Sequence, residues 1–286
     1  MKLTLKLLEA FDDGLYIPEV GRWSMDKYRI LMQYNNMFAT GMKKKWDKRL
    51  YIDLFSSSGI ARIKDSADDF VLTSSLIALN IPDPYDEYFF CDIDSVSLDA
   101  LEKRVNKFFP GTKANYFLGD CNEKVDEIVS KLPKYSTSNT VLTFCLIDPY
   151  NIGIKFNTLE KLSKYKMDIL ILLSWMDATR NEYNYVKLEN DKIDQFLGYS
   201  EWRSEHKNLK KESISFKRFL AKEFVTRMMK LGYPDEALKS MFEIRYEPKN
   251  MSLYHLAFFS KHKRGYEFWN KAKHNAPNQT SFLFKE

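Results

Sequence analysis

Cysteine, histidine and glycine are scarce in this chain of 286 residues, and each shortage closes off a class of protein. The three cysteines, Cys91, Cys121 and Cys145, are odd in number and lack the paired spacing of a zinc site, so neither a disulfide framework nor a metal centre is expected. Each lies in or beside an apolar run, where a free thiol behaves as a small buried hydrophobe. His206, His255, His262 and His274 show no ligand spacing, and His255, inside an expected strand, reads as a core residue. The ten glycines include no Gly-x-Gly-x-x-Gly fingerprint opening a helix, which argues against an NAD-dependent oxidoreductase. No apolar run approaches the roughly 18 residues of a membrane span, and Met1-Lys-Leu-Thr-Leu-Lys-Leu-Leu8 is too short for a secretory apolar core. Repeats and low-complexity tracts are missing as well. The expectation is a cytoplasmic chain without membrane attachment.

What is present is enough for a core: 44% of residues are hydrophobic and 29% charged. Lys and Arg number 44 against 39 acids, a net charge of +5 that is compatible with a nucleic-acid partner without requiring one. Four apolar runs of strand length lead into an acid: Tyr51-Ile-Asp-Leu-Phe with Asp53 inside it, Tyr88-Phe-Phe-Cys-Asp92, Asn115-Tyr-Phe-Leu-Gly-Asp120 and Val141-Leu-Thr-Phe-Cys-Leu-Ile-Asp148. Strands covered on both faces read as continuous apolar runs, and open α/β sheets bind ligands outside the carboxyl ends of their strands. The pattern therefore gathers Asp53, Asp92, Asp120 and Asp148 along one rim.

Between these runs lie stretches of helical period. Trp23 opens one, with Ser24 or Asp26 as its cap; Thr73 or Ser74, Ser97, Asn122, and Asn157 or Thr158 are the expected starts of the next four. Residues Ile60 to Asp69 read as charged and irregular. A fifth strand is expected at Asp168–Leu173, and strands alternating with helices imply a parallel sheet. From Asp177 to about Ser240 two helices are expected, at about Asp191–Leu197 and Ser213–Leu231. A hairpin of Met241–Tyr246 and Ser252–Phe259 then closes the sheet through Glu247-Pro-Lys-Asn-Met251, followed by a last helix from Gly265 to about Lys273. The expected organisation is a lead-in and helix over 1–48, a Rossmann-like core over 49–176, an inserted helical subdomain over 177–240, and the hairpin and helix over 241–286. The basic run Lys43-Lys44-Lys45-Trp46-Asp47-Lys48-Arg49 reads as a solvated face leading into the first strand.

Five parallel strands closed by an antiparallel hairpin, about seven strands with helical additions, is the α/β plan of the S-adenosylmethionine-dependent methyltransferases. In detail the chain resembles the three-Cys-motif partner proteins (TcmP), which are methyltransferase-like. The resemblance runs from about Trp23 to Trp269 through Asp53-Leu-Phe55, Ser75-Leu-Ile-Ala-Leu79, Asp92-Ile-Asp94, Gly119-Asp120, Asp148-Pro-Tyr150, Tyr254-His255 and Ser260-Lys-His262. It implies S-adenosylmethionine as cofactor, with Asp53, Phe55, Ser57 and Gly59 around its amino-acid part, Asp92 or Asp94 on the ribose hydroxyls, and Asp120 with Cys121 near the adenine. Where such enzymes commonly have Gly-x-Gly, this chain has Ser56-Ser57-Ser58-Gly59, with Ser57 in the place of the first glycine. Asp148-Pro149-Tyr150 resembles a shortened Asp-Pro-Pro-Tyr motif of adenine amino-group methyltransferases, whose acid holds the target amine and whose aromatic stacks on the base. Tyr183 and Tyr185 follow the fifth strand and are further stacking candidates, although packing accounts for most tyrosines. Two readings follow from the resemblance: a methyltransferase acting on nucleic acid, or a catalytically silent member of the fold that partners a three-cysteine-motif, iron–sulfur type protein.

Overall fold

The computed structural model describes residues 13–64, 66, 69–211, 214–246, 248 and 251–275. The opening residues Met1–Leu8, the expected helix start at Ser213 and most of the hairpin loop after Tyr246 lie outside them. In chain order the elements of the first part are β1 (Glu19–Val20), α1 (Ser24–Met42), β2 (Lys48–Asp53), β3 (Ile60–Ile63), β4 (Phe70–Leu72), α2 (Ser74–Leu79), β5 (Glu87–Asp92), α3 (Ser95–Phe108), β6 (Ala114–Leu118), α4 (Cys121–Ser130) and β7 (Val141–Ile147). There follow α5 (Phe156–Ser163), β8 (Met167–Leu173), α6 (Trp175–Arg180), α7 (Glu182–Tyr185), α8 (Lys192–Leu197), α9 (Trp202–Lys211), α10 (Phe216–Lys230), α11 (Glu236–Ser240), β9 (Phe242–Tyr246), β10 (Met251–Phe259) and α12 (Lys263–Asn275). Seven strands form one sheet in the order β6-β5-β2-β7-β8-β10-β9, mostly parallel, with β10 antiparallel to both β8 and β9. This is the α/β plan expected from the sequence.

The chain divides into two compact units, residues 1–146 with 267–286, and residues 147–266. In the first, β2 pairs in parallel with β5 on one side and β7 on the other, and the apolar segments Leu50–Ile52, Tyr88–Cys91 and Phe144–Leu146 are buried at their centres. Helix α1 covers this sheet with residues three and four apart: Leu31, Tyr34, Phe38 and Met42 are buried. Their rings meet an aromatic layer, Tyr34 lying 4.7 Å from Phe144 and Phe38 5.8 Å from Tyr85. Tyr51 sits at the centre of that layer, and its sealed hydroxyl is satisfied by Asp53 Oδ2 at 3.2 Å.

In the second unit, α6 to α11 surround an aromatic cluster in which Phe196 stacks on Phe224 at 4.7 Å and Trp175 meets Phe196 edge-on. Two helices are expected over this stretch; α8 and α10 are present, and α6, α7, α9 and α11 join them. Helix α9 is hard to see in the sequence because, among its described side chains, the buried ones are Trp202 and His206, one turn apart in a largely charged segment.

Several local expectations are corrected. Residues Ile60 to Asp69 are not wholly irregular: β3 pairs antiparallel with β4 and parallel with β1, so a small second sheet buries Ile60, Ile63, Val71 and Leu72. The charged residues between the two short runs mask them in the sequence. Asp94, not Ser97, caps α3, because its carboxylate takes the N–H groups of Val96 and Ser97 and the Ser97 hydroxyl as well. Asp120, not Asn122, caps α4 in the same way. Helix α1 starts behind Trp23 with no side-chain cap, since Ser24 is already helical and Asp26 pairs with Arg29 at 3.0 Å. Lys155, without a side-chain cap, precedes α5 in place of Asn157 or Thr158.

Gly198 ends α8 in the left-handed region at φ 74°, and a Cβ there would stand 2.8 Å from Phe156 Cδ1. Gly198→Ala is therefore expected to destabilise the protein by about 1–3 kcal/mol, read as a lower urea midpoint with unchanged slope; an unchanged midpoint would contradict this geometry.

Candidate functional site

In the first unit, the carboxyl ends of β2, β5 and β6 bring most of the expected site residues together. The chain leaves β2 at Asp53 and turns at Ser56-Ser57-Ser58-Gly59 before entering β3. Asp53 does not reach solvent: its carboxylate is sealed, holding the Tyr51 hydroxyl and the Phe55 N–H at 3.2 Å each. Its place is under the turn, as a brace. Phe55 is partly buried at the start of the turn.

Ser57 has φ 53°, and among the described residues it is the one non-glycine residue in the left-handed region. For a residue with a Cβ that conformation costs on the order of 1–2 kcal/mol. The surrounding bonds offset the cost. The Ser57 N–H donates to Asp92 Oδ2 at 2.7 Å, the Ser56 N–H to the Cys91 carbonyl at 2.9 Å, and the Ser75 hydroxyl to the Ser56 carbonyl at 3.0 Å. Gly59, at φ 86°, cannot carry a side chain, because a Cβ would lie 2.7 Å from Leu76 Cγ. Serine thus adopts the left-handed turn in the place where related enzymes commonly have glycine.

Asp92, the last residue of β5, is partly buried and accepts from Ser57 with one oxygen and from the Asp94 N–H with the other at 2.9 Å. The Ile93 N–H also bears on this carboxylate, and since a carboxylate has about four acceptor positions, part of its capacity remains for a ligand. Burial pushes its pKa above the ordinary value of 3.8, and the backbone hydrogen bonds oppose that only in part. A raised folded pKa means that this group's contribution to stability is fully present below the ordinary value and is lost as pH rises through the folded one. Asp94 points the other way: the Ser97 hydroxyl holds its carboxyl below the usual range, in keeping with a helix cap. Asp120 caps α4 with one oxygen, Oδ1 taking both the N–H and the side-chain amide of Asn122 at 2.9 Å.

The thiols stay inside. Cys91, Cys121 and Cys145 are free and buried, and burial pushes Cys91 up to about 12 and Cys121 and Cys145 well above the ordinary thiol range. Among the described residues no group of His, Cys, Asp and Glu could hold a metal ion. Two features escape a reading of the sequence: Ile93, just after Asp92, is 74% exposed, and Leu118, paired with Asp92 across β5 and β6, is 51% exposed. An apolar residue between two acids was the available signal for Ile93.

The second unit holds Asp148, Pro149 and Tyr150 directly after β7. Asp148 is partly buried, Pro149 buried, and Tyr150 is 99% exposed. Tyr185 is locked in place by Asp177 at 2.9 Å, whereas Tyr183 is 76% exposed beneath the Lys187 ammonium. His255 lies in β10 with Nε2 3.8 Å from a Glu243 oxygen; burial, aided by Lys217, lowers its pKa to about 4, so it is neutral at pH 7.

No protein-family model matches the chain, and no curated protein matches it. Among solved structures, it is similar to protein LPL1258 of Legionella pneumophila, from family DUF519, with a TM-score of 0.51, 11% identity, and 90% of this chain and 92% of that one covered. At that identity the likeness shows the fold. Looser matches include the plantazolicin methyltransferase BpumL bound to SAH (TM-score 0.39, 12% identity, 91% and 82% covered) and geranyl diphosphate methyltransferase bound to SAM (0.38, 6%, 81% and 85%). Those scores are too low to argue from. Among the described residues no helix is long and apolar enough to cross a membrane.

Because the left-handed cost at Ser57 exceeds or matches the roughly 0.5–1 kcal/mol that glycine loses in the unfolded chain, Ser57→Gly is expected to leave stability unchanged or raise it by up to about 1 kcal/mol. Urea unfolding measures this directly, and a clear loss of stability would mean that the serine side chain holds the turn.

Proposed function

We propose that the chain is an S-adenosylmethionine-dependent methyltransferase whose cofactor lies at the carboxyl ends of β2, β5 and β6, with an amine of a nucleic-acid base as acceptor. The observation that carries this reading is the pairing of Asp92 with the left-handed Ser57 turn. Together they place a partly buried carboxylate with acceptor capacity left over beside a turn in the left-handed region, at the carboxyl ends of parallel strands. Asp92 takes the two ribose hydroxyls. Ile93 and Leu118 supply apolar surface for the adenine, and the Asp120-Cys121 turn lies at its edge. The fit rests on these residues and on the turn's left-handed backbone at Ser57 and Gly59.

The cofactor supplies a methyl group already activated on a sulfonium, so the chain's own task is positioning. Asp148 accepts a hydrogen bond from the acceptor amine and orients it; its near neighbour Tyr150, fully open to solvent, stacks on the base, and Tyr183, beneath the Lys187 ammonium, is a second exposed ring of the same kind. The net charge of +5 is compatible with a polyanionic acceptor. The finer likeness to TcmP, and the three-cysteine iron–sulfur partner it implies, rest on the sequence resemblance alone. A silent binding protein of the same fold is the second reading, favoured by the serine at position 57.

Transfer of labelled methyl from S-adenosylmethionine into RNA, DNA and protein fractions tests the reading. The nucleic-acid fraction is expected to take the label. Asp148→Ala should cut transfer by about a hundredfold with cofactor affinity intact, the scale of losing one positioning contact; label in protein alone would sink the acceptor assignment.

Asp92→Ala is expected to weaken cofactor binding by roughly ten- to a hundredfold, or about 1.5–3 kcal/mol. Acidification should mimic it. With the Asp92 pKa raised, the acceptor is lost on the way down at a pH above the ordinary 3.8, so affinity should start to fall before that value is reached. Affinity that is flat down to pH 4 in a folded protein would remove Asp92 from the ribose.

A further inference from the structure

Arg104 of α3 is fully buried, and its guanidinium is engaged on every side. Nε and one terminal nitrogen donate to the two oxygens of Asp13 at 2.9 Å each, and the other terminal nitrogen donates to the Ser58 carbonyl at 2.6 Å and the Tyr16 carbonyl at 3.0 Å. Asp13 is itself sealed, with 4% of its side chain exposed, and its Oδ1 also takes the Leu15 N–H at 3.1 Å. Burial alone would raise the Asp13 carboxyl, but Arg104's hydrogen bonds and charge outweigh it and hold it below the ordinary value. A fully buried Arg with a fork-to-fork carboxylate is a costly arrangement to desolvate, and it stands only where geometry is complete.

Its position gives it a task. Ser58 follows Ser57, the residue held in the left-handed region without being glycine, and precedes Gly59, whose carbonyl takes the Thr73 N–H at 2.8 Å. The turn is thus gripped from two sides: Asp92 holds the Ser57 N–H, and Arg104 holds the Ser58 carbonyl. The Ser57 N–H belongs to the 56–57 peptide and the Ser58 carbonyl to the 58–59 peptide, so holding both restrains the dihedrals of the two residues between them, of which Ser57 carries the strain.

We propose that Arg104 is a positioning residue for the Ser56–Gly59 turn and that Asp13 sets the orientation of Arg104, making the Asp13–Tyr16 segment part of the cofactor site's support. This rests on the reading of that turn as the cofactor turn. A serine turn that is gripped in this way is pre-shaped for ligand, whereas a released one relaxes out of the left-handed region and must be reshaped on binding.

The test uses the full chain with Asp13→Asn, which keeps the shape but removes the charge, and Arg104→Lys, which keeps the charge but loses the fork. Amide hydrogen exchange reads the turn with no ligand present. In both variants the Ser57 and Thr73 amides are expected to exchange at least tenfold faster, while amides of the β2–β5 ladder keep their protection. Titration with S-adenosylhomocysteine should show affinity at least tenfold weaker per folded molecule, with Asp13→Glu restoring part of it. Unchanged exchange at Ser57 in a folded Asp13→Asn protein would overturn the proposal, as would a uniform rise across the whole first unit. If the unaltered protein binds no S-adenosylhomocysteine, the cofactor reading falls, and exchange at Ser57 alone still decides whether Arg104 positions the turn.

Discussion

The contact between the Asp92 carboxylate and the Ser57 N–H ties the end of β5 to the turn after β2, at 2.7 Å, and the shape of the rim depends on it. A left-handed serine is an uphill backbone state, and a partly buried carboxylate with raised pKa is an uphill charge state. Each relieves the other: the N–H bond favours the ionised carboxylate, and the carboxylate fixes the peptide that the strained residue needs. Asp53 below, satisfied by Tyr51 and Phe55, and Ser75 behind, bonded to the Ser56 carbonyl, keep the turn from collapsing inward. Strain held by surrounding structure is a signature of binding sites rather than of ordinary loops.

The four strand-end acids do different work. Asp53 is a sealed brace, Asp120 and Asp94 are helix caps, and Asp92 has acceptor capacity left over. Burial and prior hydrogen bonds make this division, and the bond to the strained turn is what marks Asp92 among them. In the second unit the same logic separates Tyr185, committed to Asp177, from Tyr150 and Tyr183, which face solvent.

The sheet was legible because its strands are continuous apolar runs that end in acids, a pattern that survives without any neighbour information. The β8–β10–β9 hairpin end was legible for the same reason, from Met241–Tyr246 and Ser252–Phe259. What stayed hidden has physical causes. Strands β3 and β4 are three to four residues long and flank charged residues; α9 rests on Trp202 and His206; and the caps were misplaced because Ser97 and Asn122 look like caps until Asp94 and Asp120 are seen to reach past them. The Asp13–Arg104 pair joins residues 91 apart in the chain, and no local pattern announces it. Ser57 stands in the glycine's place in the sequence, but its ability to adopt φ 53° depends on Asp92 and Ser75, which only the fold brings to the turn.

Calorimetric titration of the intact protein with S-adenosylhomocysteine tests the central claim most directly, since it asks whether the turn and Asp92 form a cofactor site before any acceptor is known. The account predicts a single site with a dissociation constant on the order of micromolar, about −8 kcal/mol, and a matching rise in thermal stability. No heat and no thermal shift at millimolar ligand would contradict it and leave the silent binding protein as the better reading.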